Sequence, residues 1–339
     1  MGQGGENIIF ISSPVFEQLS SMFVVQGDIQ SSVGAANEVQ KWVEERRRTI
    51  PQKLKNDLDV FFSKETFIGM SMIRYAYENN CYESVPNFIH QLESEEPYQL
   101  FMRFLQTGFT PDEVSNILDI QEVSHFIKQT NLPESEKWKL TYLYVDIENT
   151  KQRFVNLIKQ YYEFYFKDDI PYFLKKQQES IADLYDKQQD LTRVQVGNIF
   201  PVIPSHVLEN KEIKLILSPS FFYDTASLTS DSDDSFIYHF GMNEMKKNKM
   251  SQDDVLDAIK VVADEKRIKI IQLLNKSPRY GYELANTLNL SNSTVSHHLS
   301  TLSSIGIVYS TRIENKVYYQ LHKEKLQVLM ETLTKSLLD

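Results

Sequence analysis

Residues Tyr280 to Leu321 read YGYELANTLNLSNSTVSHHLSTLSSIGIVYSTRIENKVYYQL, and the spacing of the apolar residues in this run decides the fold of its surroundings. From Tyr282 to Leu288 the inward positions are Leu284, Ala285 and Leu288, which predicts a short helix. Asn289 and Leu290 make a turn, and Ser291 is a good N-cap for a second helix. Val295, Leu299 and Leu302 then recur at i, i+4 and i+7, the spacing of one buried helix face. The opposite face holds Asn292, Ser293, Ser296, His297 and Ser300. Gly306 ends the helix by the left-handed route. Ile307 to Ile313 alternates and is β-branched, Glu314-Asn315 is a turn, and Lys316 to Leu321 is a return strand. Helix, tight turn, helix and two-stranded ribbon is the layout of a winged helix-turn-helix, a module that lays its second helix in the DNA major groove.

The segments on either side complete the module. Asp253 and Asp254 open a helix whose face is Val255, Ile259 and Val262, and a second apolar face runs from Arg267 to Leu274 before Pro278. Small hydroxyl, amide and imidazole groups on the outer face of the second motif helix reach base edges and phosphates at little desolvation cost. Arg312 and Lys316 flank the ribbon tip, where a wing meets phosphate or the adjacent minor groove. The terminal stretch 323–338 carries Leu326, Leu329, Met330, Leu333 and Leu337 in one stripe. Past the wing little domain is left to cover, so the stripe is read as a dimer surface.

Three runs, VVADEKRIKIIQLL, ELANTLNLSNSTVSHHLSTLSSIGIV and TRIENKVYYQL, together resemble the ArsR-type winged-helix regulators over about 75 residues. The resemblance rests on Ala263, Asp264 and Arg267, on Ser296-x-His298-Leu299, and on the Tyr318-Tyr319 return strand. It implies a homodimer on a pseudo-palindromic operator, usually a repressor. It also implies a DNA-facing set of Asn292, Ser293, Thr294, Ser296, His297, His298 and Ser300, with Arg312 and Lys316 on the wing. The metal sites of many relatives have no counterpart. Tyr282-Glu283-Leu284-Ala285 stands where a Cys pair often lies, and His322 with Glu324 and Glu331 lacks a second histidine. Neither a metal site nor a cofactor is expected.

Charge is divided unevenly. The chain has 339 residues, enough for about two domains, and a net charge of −10. Residues 251–339 hold 11 Lys+Arg against 10 Asp+Glu, leaving 25 against 36 for residues 1–250. The acidity therefore belongs to the larger part, and a near-neutral reading head implies a moderate salt dependence. One cysteine, Cys81, excludes an internal disulfide and a cysteine-rich zinc cluster. No apolar run is long enough for a membrane span and the start lacks a signal-peptide pattern, so a cytoplasmic bacterial protein is expected.

Residues 1–245 read as mostly helical, with helices expected near 14–25, 35–48, 51–62, 84–92, 97–106, 111–118, 120–129 and 134–148. A long one is expected from about 150 to 166, with a continuation to 189 past a break at Pro171. Ile8 to Ile11, Ile213 to Leu217 and Phe236 to Phe240 are β-type runs, which a small sheet assembled from distant segments would explain. Asp224 to Ser235 reads as a solvated loop, and Lys246-Lys247-Asn248-Lys249 as the start of a linker at 246–250. SPVFEQLSS, IKLILSPSFF and FIYHFG resemble an uncharacterised N-terminal domain that precedes ArsR-type heads in some bacterial regulators.

No phosphate loop, dinucleotide fingerprint or Gly-x-Ser-x-Gly elbow is present, so no catalytic residues are assigned and the chain is not expected to be an enzyme. Tyr161, Tyr162 and Tyr165 are the candidate lining of an effector pocket, with core packing as the plainer alternative. Arg46-Arg47-Arg48 is either a second DNA contact or a solvated helix end, and Cys81 either a redox sensor or an idle thiol. The fold class is mainly α with small β elements (α+β). A large helical regulatory and dimerisation domain (1–245) precedes a winged helix-turn-helix (251–339) controlled through it by a small-molecule, peptide or protein effector. The main alternative is an N-terminal scaffold without a pocket, controlled by a protein partner.

Overall fold

The computed structural model describes residues 7–27, 37–63, 67–105, 120–130, 132–187, 191–200, 202–223, 226–242, 258–313, 316–323, 326, 329–330 and 333–334. The chain divides into two compact units. One holds residues 1–31, 35–190 and 211–242, and the other holds 32–34, 191–210 and 243–339. Residues 191–210, which the sequence placed with the larger domain, group with the second unit. The expected helix at 111–118 and the linker at 246–250 lie outside the described residues.

The first unit is helical around a four-stranded sheet of order β1-β2-β4-β3. Strand β1 (Ile8–Phe10) runs parallel to β2 (Lys214–Ser220), with Ile8 opposite Leu215. Strand β2 runs parallel to β4 (Ser235–Gly241), with Leu215 opposite Phe236. These are the three runs expected to pair. Every residue of β4 is buried, the continuous apolar pattern of a parallel strand covered on both faces. Strand β3 (Ser227–Asp231) lies antiparallel on the edge beside β4. It occupies part of the stretch read as a loop. Its Ser/Asp composition suits an edge exposed on alternate residues, so composition hid a strand that pairing with β4 creates.

Helix α1 (Pro14–Gln26) is the centre of this unit, with every residue from Pro14 to Met22 buried. Ser13 caps it, its Oγ accepting from Phe16 N at 3.0 Å, and Pro14 occupies the first turn. At its other end Arg47 donates to the carbonyls of Val24, Val25 and Gly27, which the helix cannot satisfy itself. Around it lie α2 (Asn37–Thr49), α3 (Gln52–Phe61), a 3-10 turn at Ile68–Ser71 and α4 (Met72–Glu78). They are followed by α5 (Val85–Ser94), α6 (Pro97–Leu105), α7 (Ile120–Gln129) and α8 (Glu134–Val145). Helix α9 (Ile147–Tyr161) passes through a π turn at Tyr162–Phe166 and a 3-10 turn into α10 (Ile170–Lys187). Pro171 falls in the first turn of α10, where its missing N–H is harmless.

The second unit contains α11 (Arg193–Ile199), held by a capping box between Thr192 and Gln195, and α12 (Ser205–Glu209). Its winged part begins with a helical stretch at 258–262, here α13. It continues with α14 (Glu265–Lys276), β5 (Arg279–Tyr280), α15 (Gly281–Leu288), α16 (Asn292–Ser304), β6 (Val308–Ile313) and β7 (Lys316–Leu321). The sheet order is β5-β7-β6. The strand at Arg279–Tyr280 is too short for a periodicity to show; it, α11 and α12 have no counterpart among the sequence-based expectations.

Candidate nucleic-acid interface

Helix α16 is built as the sequence spacing requires. Ser291 Oγ accepts from Thr294 N at 3.1 Å and lies 2.8 Å from Ser293 Oγ and 2.7 Å from Thr294 Oγ1, closing the first turn. Asn289 sits in the left-handed region at φ 55°, which lets Leu290 N donate to Ala285 O at 3.0 Å and reverses the chain between α15 and α16. Glu283 reaches back to accept from Tyr280 N at 3.2 Å and so caps α15. Gly306, at φ 69°, turns the chain out of α16 into β6.

Burial separates the two faces of α16 cleanly. Val295, Leu299 and Leu302 are all buried, packed with Ile270, Leu274, Leu284, Ala285, Ile307 and Val308. Asn292, Ser293, Thr294, Ser296, His297 and Ser300 are exposed. His298 is set apart from this face. It is half-buried, with Nδ1 4.0 Å from Asp264 Oδ1 on the α14 side. Asp264 caps α14, accepting from Lys266 N and Arg267 N at 3.0 Å each, and these backbone donors hold its carboxyl below the usual carboxylate range. Arg267 donates to the carbonyls of Val261 and Lys260 and braces α13 against α14. The Asp264 and Arg267 pair of the sequence motif therefore organises the scaffold.

The backbone of Arg312 pairs with Val317, and that of Ile313 with Lys316, so Arg312 and Lys316 stand at the tip of the β6–β7 ribbon. In the terminal stretch Leu329 is buried in the core of its own unit, Leu326 and Leu333 are partly buried against that core, and Met330 is half exposed. Three of the four described residues of the stripe thus pack against their own domain, and Leu337 lies outside the described residues.

The first unit carries a different kind of interior. Glu17, wholly buried on α1, accepts from Gln177 Nε2 at 2.5 Å, from Phe221 N at 2.7 Å and from Phe222 N at 3.2 Å, with Ser220 Oγ at 3.3 Å. Burial pushes its carboxyl up to about 8, against the pull of these donors. His239 on β4 is also buried, with Nε2 2.8 Å from Ser20 Oγ and Nδ1 3.1 Å from Ser218 O. Burial pushes this imidazole down to about 3 and keeps it neutral. The seam ties α1, α10 and the carboxyl ends of β2 and β4 together, and no spacing rule on the sequence brings these residues into one place.

Tyr161 is buried in the core, its hydroxyl 3.1 Å from Ser21 Oγ, while Tyr162 and Tyr165 are half-buried on the same core's margin. Arg46 binds Asp169 at 2.7 Å and lies over Trp42, and Arg47 caps α1, so of the three arginines only Arg48 is largely exposed. Cys81 is buried, and burial pushes its thiol up to about 11, which suits an idle thiol rather than a sensor. No group of three or more potential metal ligands occurs among the described residues. None of the described helices is long and apolar enough to cross a membrane.

A capped helix with an apolar inner face and a polar outer face, preceded by a tight turn and followed by an antiparallel ribbon, defines a winged helix-turn-helix DNA-binding regulator. Residues 264–310 match the family described as bacterial regulatory protein, arsR family. The chain is 31% identical over 100 residues to the cadmium resistance transcriptional regulatory protein CadC homolog of Staphylococcus aureus, covering 29% of this chain and 83% of that protein. It is 30% identical over 84 residues to the arsenical resistance operon repressor of Staphylococcus xylosus, covering 25% of this chain and 81% of the relative. The CadC protein of Listeria innocua is 36% identical over 73 residues, 21% of this chain and 61% of the relative. Among solved structures, the homodimeric winged helix-turn-helix domain Mb0332 of Mycobacterium bovis is 24% identical, covers 25% of this chain and 79% of that one, and has a TM-score of 0.22. The chain belongs to the ArsR family of bacterial transcriptional regulators, and that membership rests on its second unit.

Proposed function

We propose that the chain is a homodimeric transcriptional repressor whose first unit controls the reading heads without a metal. The observation that carries the DNA-reading part is the division of α16. Its outward side is a continuous set of small polar groups, Asn292, Ser293, Ser296, His297 and Ser300, while its inward side is locked in the core. Such a surface reads base edges, and Arg312 and Lys316 at the ribbon tip add phosphate contacts. Two such helices on a dimer address half-sites about 34 Å apart on a pseudo-palindrome. The cadmium and arsenical roles in the relatives' names do not carry over easily, because the only cysteine, Cys81, lies buried in the first unit.

Control acts through differential binding: an effector that favours one geometry of the dimer shifts occupancy of the operator. The packing of Tyr161 into the core favours a first unit that works by protein contact over one that binds a small molecule at that aromatic cluster. Fluorescence-anisotropy titration of the full chain on the DNA upstream of its own coding region, beside a shuffled sequence and across a salt series, tests the reading. Selective binding with a shallow salt slope, a few phosphates' worth at roughly −0.9 each, is the expected result. Equal binding to both DNAs, lost with salt, would count against autoregulation.

A further inference from the structure

Helix α8 (Glu134–Val145) presents a row of large apolar side chains that are exposed among the described residues. Trp138 is 72% exposed, Tyr142 64% and Val145 63%, whereas Leu140 and Leu143 on the other side are buried at 2% and 1%. Positions 138, 142 and 145 recur at i, i+4 and i+7, the spacing that normally marks the face a helix buries. The helix is therefore anchored by one apolar face and shows a second to the outside. Beside Trp138 and Tyr142, Lys137 pairs with Glu134 at 3.0 Å and Lys139 with Glu136 at 2.8 Å, while Asp146 and Glu148 are exposed at the Val145 end. Around Trp138 and Tyr142 the complement of the row is therefore another apolar surface.

We propose that this row packs against the same row of a second copy of the chain, the two α8 helices lying antiparallel across a two-fold axis near Tyr142. The order of sizes is self-complementary in that arrangement. Trp138 of each protomer meets the partner's Val145, and Tyr142 meets its own copy at the centre, as an isologous contact requires. The area says which kind of contact this is. At these exposures the row offers about 350 Å² per protomer, less than half of the roughly 800 Å² per partner of a standard stable interface. It is too small to hold a dimer alone and sufficient as a second contact within a dimer held elsewhere, where tethering raises the local concentration. The proposal thus rests on the homodimer proposed above, and gives the first unit its own hold on that dimer.

The test is Tyr142→Cys in the otherwise natural full-length chain, oxidised in solution and run on a denaturing gel beside Lys175→Cys, a control on α10 whose side chain is 75% exposed. Cys81 does not compete, being buried. The expected result is a disulfide-linked dimer from most Tyr142→Cys chains and only background from the control. Equal, slow cross-linking of both while sedimentation shows a dimer would overturn the α8 contact and leave the head dimer standing. Sedimentation showing only monomer at every concentration would overturn both. Acrylamide quenching of Trp138 in a Trp42→Phe chain gives an independent reading: it should fall severalfold between monomer and dimer concentrations, and unchanged quenching would overturn the proposal.

Discussion

The central helices of the two units solve burial in opposite ways. Helix α16 of the reading head sorts its residues by face, apolar within and polar without, so its chemistry is turned toward a partner. Helix α1 of the first unit is surrounded on all sides, and Glu17, Gln18, Ser20 and Ser21 are buried with it. Its polar groups are turned toward the protein itself: Glu17 to Gln177 and the chain leaving β2, Ser20 to His239. In one helix polar residues are there for recognition and in the other they fix tertiary structure. Substitution should therefore impair binding at α16 and stability at α1.

The largest effect is expected at Glu17. Replacing it with Ala takes the acceptor from the Phe221 amide and the Gln177 side-chain amide, while Phe222 N keeps Ser220 Oγ at 3.2 Å, a loss of about 4 kcal/mol. Both tryptophans of the chain, Trp42 and Trp138, lie in the first unit, so tryptophan fluorescence during denaturation reads this loss directly. An unchanged midpoint would show that the seam contributes little.

A loss of about 3 kcal/mol is expected from Leu329→Asp, which puts a carboxylate into the core of the head. Hydrogen exchange should show unfolding of the head with the tryptophan transition unmoved. Met330→Asp, at a half-exposed position beside it, should leave the head folded and weaken dimerisation instead. If Leu329→Asp gives a folded monomer, Leu329 acts in the dimer interface and contributes little to the core.

A smaller effect comes from pH, and the two buried groups of the first unit act in opposite directions. Glu17 is raised from 4.5 to about 8, so its protonated folded form contributes stability that is full below 4.5 and lost as pH rises through 8. His239 is lowered from 6.5 to about 3, so its contribution is present above 6.5 and lost as pH falls through 3. Between these groups the first unit is most stable from roughly pH 4.5 to 6.5. Glu17→Gln should flatten the alkaline side and His239→Gln the acid side of a denaturation profile; an alkaline slope that survives Glu17→Gln has another source.

The head was legible because each of its elements announces itself locally. Ser291 caps, Asn289 takes the left-handed turn, Val295, Leu299 and Leu302 keep helical register, and Gly306 stops the helix. The exposed face of α16 followed from that register. His298 did not: adjacent in sequence to His297, it turns about 100° away toward Asp264, a partner 34 residues earlier that only packing supplies. In the first unit the three parallel strands and the helices other than α4 were legible by pattern, whereas β3 was not, since Ser227 to Asp231 becomes a strand only by pairing with β4. Least legible was the Glu17 and His239 seam. Apart from that of His239 to Ser218, its hydrogen bonds join residues 160 or more positions apart, and a glutamate on a helix gives no sign in sequence that it will be buried.

The smallest change in structure should have the clearest effect on function. Ser296→Ala with His297→Ala should alter folding stability by less than about 0.5 kcal/mol, since both side chains are exposed. Selection of binding sites from a random double-stranded DNA library, with the natural chain and this double variant in parallel, is the most direct test of the reading head. The natural chain is expected to enrich a two-fold symmetric motif, and the double variant to lose the preference at the base pairs under α16 while keeping nonspecific affinity. Recovery of the same motif with the same strength by both proteins would contradict the assignment of the reading face.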